Sequence, residues 1–197
     1  FWGLAGVHRV EMDGERKWRY RGVSDVISLV ASPRNDVGWQ KLLLTDRQGQ
    51  LFQLNQFGNA DPVIDTDGIP LHHLFPGNPG KEAITRFCAL SSTRSQVLVG
   101  LDVQLRTRWR YPVSLGTFAT QVEMVTSTPL SSPEGGIWLV AAANGVVHMV
   151  AHDGSFADSF AVGERITGIS AGRFAGQTRV LIASGTKVTC WEITARE

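Results

Sequence analysis

Ile137-Trp-Leu-Val-Ala-Ala142 leads through Asn144-Gly145 into Val146-Val-His-Met-Val150, and the fold reading turns on this stretch. Two short apolar runs flank a tight polar turn. Runs of this length bounded by turn residues read as strands, and Asn-Gly supplies the positive φ that a tight hairpin needs. The unit recurs. Lys41-Leu-Leu-Leu-Thr-Asp46 leads through Arg47-Gln48-Gly49 into Gln50-Leu-Phe-Gln-Leu54. Arg179-Val-Leu-Ile-Ala-Ser184 leads through Gly185 into Lys187-Val-Thr-Cys-Trp-Glu-Ile193. Phe1 to Val10 reads as the same hairpin cut through its first strand.

Another apolar strand precedes each complete hairpin: Val26–Ala31, Val122–Thr126 and Ile166–Ala171. Their small and β-branched residues suit a crowded innermost position. The middle unit pairs Gln96-Val-Leu-Val-Gly-Leu-Asp102 with Arg106-Thr-Arg-Trp109-Arg-Tyr111, matching Val7–Asp13 with Gly14–Tyr20. On this alignment the third strands begin near residues 7, 51, 97, 146 and 187, in steps of 44, 46, 49 and 41, close to the period of about 40–45 of four-stranded repeat units. Two other readings of the middle stay open. Residues 84–90 could be an innermost strand, shifting this unit by one strand. Lys81 to Leu90 could instead be a short helix with Ile84, Phe87 and Cys88 on one face. Gly58 to Gly80, holding Pro62, Pro70, Pro76 and Pro79, reads as an outer strand plus a long loop.

Composition excludes several classes. The 197 residues carry a net charge of +1, against a binder that lives on neutralising phosphates. The chain is 43% hydrophobic, too apolar for disorder, yet it holds no run of about 20 apolar residues that would span a bilayer. Fifteen arginines are scattered, fitting rims and strand faces. The chain opens Phe1-Trp2-Gly3 without Met and already strand-like, which reads as a cut from a longer protein. Cys88 and Cys190 form no metal or redox spacing and read as two buried thiols, with a disulfide between them the other reading.

Gly6-Val7-His8-Arg9-Val10 with Asp13-Gly14 and Lys17-Trp18-Arg19-Tyr20 resembles the pyrroloquinoline-quinone-like repeat of β-propellers. In that repeat an Asp and a Gly close the turn and an outer-strand Trp docks between blades. Leu101-Asp102 with Trp109-Arg110-Tyr111 repeats the pattern without a Gly in the turn. Leu181–Gly185 with Val188-Thr-Cys-Trp191-Glu-Ile193 resembles a WD-type repeat, with Glu192 where the Asp would stand and no preceding Gly-His pair. The resemblance implies an all-β fold, a β-propeller of four-stranded antiparallel blades. About five units are expected, the first and last incomplete, and residues 1–197 form one propeller domain or a propeller fragment. Similarity to propellers of secreted bacterial multidomain proteins implies the C-terminal propeller region of a larger bacterial protein and an extracytoplasmic location. Trp18, Trp109 and Trp191 are expected to fill the gaps between blades, with a ligand-stacking role for one of them as the lesser reading.

No residue set stands out as a site. Asp46, Asp102 and Asp153 lie at turns, where an Asp bonds its own backbone two residues on. His72 and His73 are neighbours that a strand would point to opposite faces; His148 and His152 could share a face but find no third ligand. No Cys-Cys pair or recurring Glu/Asn/Asp set matches the calcium site of quinone-dependent dehydrogenases, and no nucleophile elbow, phosphate loop or dinucleotide fingerprint occurs. The expectation is therefore a non-catalytic binding or scaffolding module, with no catalytic, cofactor or metal residues and no cofactor. Its partner would be a protein or another domain of the same chain, with no nucleic acid and no membrane span in this segment. The alternative is part of an enzyme, quinone-dependent or hydrolytic, whose site upstream residues complete.

Overall fold

The computed structural model describes residues 2–4, 6–32, 40–77, 84–91, 97–113, 122–129, 136–142 and 144–193. Every regular element among them is a strand, in five antiparallel sheets. The first sheet holds β1 (Trp2–Gly3), β2 (Gly6–Val10) and β3 (Arg16–Tyr20) in chain order. The second holds β4 (Ser28–Ala31), β5 (Leu42–Thr45) and β6 (Leu51–Leu54). The third runs β7 (His73–Pro76), β8 (Phe87–Ser91), β9 (Val97–Leu101) and β10 (Thr107–Pro112). The fourth runs β11 (Val122–Pro129), β12 (Gly136–Ala142), β13 (Val146–Ala151) and β14 (Phe156–Ala161). The last holds β15 (Ile166–Phe174), β16 (Gln177–Ser184) and β17 (Lys187–Ile193). Each sheet is a meander in which sequence neighbours pair. Among the described residues no helix is long and apolar enough to cross a membrane.

The sequence dictates this pattern simply. Strands buried on both faces are built almost wholly of apolar residues, and β8 and β12 are buried at every residue, Ser91 being the polar exception. A strand at the end of a sheet meets water, and β14 is largely exposed. The hairpin of β15 and β16 closes through Ala175 and Gly176, both at positive φ (49° and 84°), the primed turn whose twist matches a two-residue hairpin.

The chain divides into two compact units, Phe1–Leu74 with Ala89–Arg94, and Phe75–Cys88 with Ser95–Glu197. The core of the first gathers Val7, Val23, Val26, Leu44, Phe52 and Leu54, with Trp18 and Tyr20 packed on it. The core of the second joins Ile137, Leu139 and Val147 to Ile166, Val180 and Ile182.

The third strands β2, β6, β9, β13 and β17 begin at residues 6, 51, 97, 146 and 187, as the repeat spacing predicts. Two readings of the middle unit are corrected. Phe87–Ser91 is a second strand, neither innermost nor helical, although Lys81 to Ala83 lie outside the described residues. Gly58 to Gly80 is more than an outer strand and a loop. Its first part pairs with β6 through single bridges, Leu54 to Ala60 and Leu51 to Ile64, and not as a strand, and His73–Pro76 is the first strand of the next sheet. The missing fourth strand of the last unit falls on Thr194–Glu197, which lie outside the described residues.

Candidate functional site

One turn recurs between third and fourth strands. In Glu11–Glu15, Asn55–Asn59, Asp102–Arg106 and Ala151–Ser155, the first residue's N–H donates to the carbonyl of the fifth. The fourth residue's N–H donates back to the carbonyl of the first. Asp46–Gln50, between β5 and β6, has the same pattern. The geometry puts the fourth residue at positive φ: Gly14 (87°), Gly49 (78°), Gly58 (80°), Gly154 (90°) and, in the turn without a Gly, Leu105 (64°). Side chains lock the turns. Asp153 Oδ1 accepts from the Ser155 N–H at 2.9 Å and hydroxyl at 2.7 Å, and these bonds hold its carboxyl below the usual range. Asp46 Oδ1 accepts from Gln50 N–H at 2.9 Å. Asp102, buried, accepts from the N–H groups of Gln104 and Arg106 at 2.8 and 3.0 Å. Its other oxygen takes a two-pronged contact from Arg108, Nε and Nη2 each at 2.7 Å. All three aspartates thus hold turns, and among the described residues no three of His, Cys, Asp and Glu gather as metal ligands.

The turn also seats a tryptophan. Trp18 Nε1 donates to the Gln56 carbonyl at 2.7 Å, and a Cβ built on Gly58 would lie 2.7 Å from Trp18 Cδ2. Trp109 Nε1 donates to the His152 carbonyl at 2.8 Å, and a Cβ on Gly154 would lie 2.7 Å from Trp109 Cδ2. In both cases the indole lies on the glycine two residues past the accepting carbonyl. The register agrees: Trp18 faces Arg9 and Trp109 faces Gly100, each one residue past a bulge that leaves Lys17 or Arg108 as the extra residue. Trp109 is 9% exposed and Trp18 half-buried. The same carbonyl of His152 also accepts from Thr85 Oγ1, which in turn accepts from the buried Trp138 indole at 3.1 Å. Thr85 carries no sequence signal; only its burial reveals it.

Trp191 is a correction to the expectation of a filled gap. It is 41% exposed, leaning on Phe160 at 5.1 Å between ring centroids. Unlike Trp18 and Trp109 it sits on a third strand, and among the described residues no strand covers that flank of β17. At the place of Trp18 and Trp109 in the fourth sheet, one residue past the bulge of β14, stands Asp158.

The remaining candidates scatter. Cys88 is buried, which pushes its thiol up, but Cys190 is exposed, so the reading of two buried thiols fails for it; both are free. His73 is exposed and held below the usual range by partial burial and by His72 beside it. His148 and His152 do not converge, because β13 ends at Ala151 and His152 belongs to the turn. An open cleft of about 370 Å³ lies against Gln48, Gln50, Ile64, Asp65, Thr66 and Pro70.

No protein-family model matches the chain, and no curated protein matches it. Solved structures do. BBS1N, crystallised in complex with ARL6DN, superposes with a TM-score of 0.66 at 12% identity, over 92% of this chain and 54% of that one. The β-propeller domain of Cps50 (Swd1) from Myceliophteria thermophila superposes with a TM-score of 0.60 at 15% identity, over 97% of this chain and 60% of that one. The fold is a β-propeller. BamB from Moraxella catarrhalis is similar too, with a TM-score of 0.53 at 14% identity over 92% of this chain and 54% of that one. The chain thus spans little more than half the length of these structures. Its meandering sheets are propeller blades, and the Trp–Gly contacts tie the first blade to the second and the third to the fourth.

Proposed function

We propose that the chain is a non-catalytic propeller module that binds a protein partner or another domain of its own chain, with residues 1–197 forming one propeller domain or part of one. The observation that carries this reading is the dressing of one turn type. Its backbone is locked by hydrogen bonds, yet Met12, Phe57 and Val103 at its tips are exposed large apolar side chains. A rigid loop that leaves a large apolar side chain in solvent at its tip suits the capture of something else. BBS1N, a protein of similar fold, was crystallised with a protein partner, which gives the reading a precedent.

The first and third blades are pyrroloquinoline-quinone-like and the last WD-like, in the C-terminal propeller region of a larger, extracytoplasmic bacterial protein. The Trp–Gly seats support it, being the docking that the first of these repeats implies. The turn aspartates enter the reading as structural groups and not as metal or cofactor ligands, because backbone N–H groups and Arg108 occupy them.

The test replaces Met12, Phe57 and Val103 together with Ser and compares retention of binding partners on the immobilised chain. Loss of retention by about tenfold or more, with unchanged circular dichroism, is expected. Unchanged retention refutes the assignment of the turn tips. Saturable, stoichiometric binding of calcium with a quinone overturns the non-catalytic reading in favour of a dehydrogenase-like one.

A further inference from the structure

Among the described residues His148 is a buried ionisable group for which the fold supplies no task. It lies on β13, opposite Val140 on β12 and Ser159 on β14. Only 8% of it is exposed, and among the described residues its buried Nε2 has no hydrogen-bond partner. Across the joint between the third and fourth blades its ring meets Tyr111 of β10 edge-on, centroids 6.4 Å apart and planes at 65°. The same seam holds Trp109, Thr85 and Trp138 in their hydrogen-bonded chain.

A neutral imidazole fits this place and a charged one does not. Imidazolium has two N–H donors and a charge to satisfy, and a buried charge without a partner is costly. The titratable group that faces it from β10 is Tyr111, whose hydroxyl burial pushes up, so it stays neutral. Val140 and Ser159, opposite His148 on its own sheet, carry no charge. Arg110 and Asp158 adjoin Tyr111 and Ser159 in sequence, so the pleat turns them to the other faces of their strands. Burial holds His148 below its ordinary range, in keeping with this.

We propose that His148 is an acid-sensitive joint: protonating its imidazole loosens the packing of β13 against β10 and so frees the third blade from the fourth. The sign is fixed by linkage. The unfolded or opened chain takes up a proton near the ordinary histidine value of about 6.5, and the closed joint resists it. The closed state is therefore fully favoured above that value and loses ground as pH falls below it. Between pH 7.5 and 5.0 one histidine kept neutral raises the opening constant by up to about thirty-fold.

Urea unfolding of the chain at both pH values, together with amide exchange of β10 and β13, tests the proposal. Wild type should show exchange at these strands accelerating at pH 5.0 beyond the intrinsic chemical effect. His148→Gln should lose that acceleration and up to about thirty-fold of the acid penalty, while His73→Gln should keep both. If His148→Gln fails to fold, the ring of His148 in the unaltered protein is followed by NMR. Resonances that stay put down to about pH 5.5 support the joint. A titration near 6.5 with unchanged exchange at β10 and β13 overturns it, as does an acid response that His73→Gln abolishes and His148→Gln keeps.

Discussion

Gly154→Ala should cost far more than the same change at a glycine of similar backbone. Gly154 sits at φ 90° and Gly163 at 86°, so an alanine at either pays the left-handed penalty, about 1–2 kcal/mol. They differ in what the new methyl meets. At Gly163 there is nothing within 4 Å; at Gly154 the Trp109 ring already fills the space, with Cδ2 at 2.7 Å. Overpacking adds about 1–3 kcal/mol, so Gly154→Ala should cost roughly 2–5 and Gly163→Ala roughly 1–2 kcal/mol. In a chain of this size each kcal/mol moves the midpoint by about 2–4 °C, so thermal scans separate the two. A double-mutant cycle isolates the contact. Trp109→Ala alone should cost about 3–5 kcal/mol, and with the ring gone Gly154→Ala should fall to the Gly163 value, a coupling of about 1–3 kcal/mol. Equal costs at the two glycines, or strict additivity with Trp109→Ala, would refute the claim that this glycine exists to seat the tryptophan.

Three further outcomes are expected. Ala175→Asn should raise the urea midpoint by up to about 1 kcal/mol of stability, because Asn-Gly fits a turn with two positive φ values better than Ala-Gly. Asp102→Ala should lower stability by about 2–3 kcal/mol by stranding two turn N–H groups, whereas Asp102→Asn, which keeps the accepting oxygen, should lose less in the same melts. Asp153 is held below the usual carboxylate range, so its contribution is complete above that range and is lost as pH falls through its lowered value. Asp153→Asn should therefore flatten the acid limb of a stability–pH profile, and an unchanged limb would show that its bonds to Ser155 contribute nothing.

The strands legible in the sequence were those whose signal is local. Val146–Ala151 and Gln177–Ser184 lie beside turns whose residues dictate the hairpin, and an apolar run leaves them one way to be buried. His73–Pro76 escaped because its reasons lie elsewhere in the chain. It is short, starts with a histidine and ends with a proline. It is held by Ser28 Oγ accepting from the Leu74 N–H and by Thr45 Oγ1 donating to the His72 carbonyl. Residues 46 and 27 positions away leave no mark on a local pattern. Trp191 departs from the expectation for a different reason. A Trp near the end of a repeat suggests a gap filler, but the role depends on which strand bears it, and only strands that follow the third one reach the neighbouring turn.

The turn that lacks a glycine shows how far such local rules carry. A bulky residue at positive φ costs energy, so an Asp-x-x-Leu turn at Asp102–Arg106 looks like a departure from the repeat. The seats explain where the glycine is needed twice over. Gly58 and Gly154 each serve the backbone and also clear space for the ring of the preceding blade's tryptophan, Trp18 or Trp109. At Asp102–Arg106 the backbone demand is met without glycine, and burial of the side chain offsets its cost: Leu105 is 4% exposed. Gly14 holds the same positive φ with nothing within 4 Å of a Cβ built on it, so the backbone demand stands by itself there, and only at Gly58 and Gly154 must glycine and tryptophan be read together. In the fourth blade Asp158 takes the tryptophan's place.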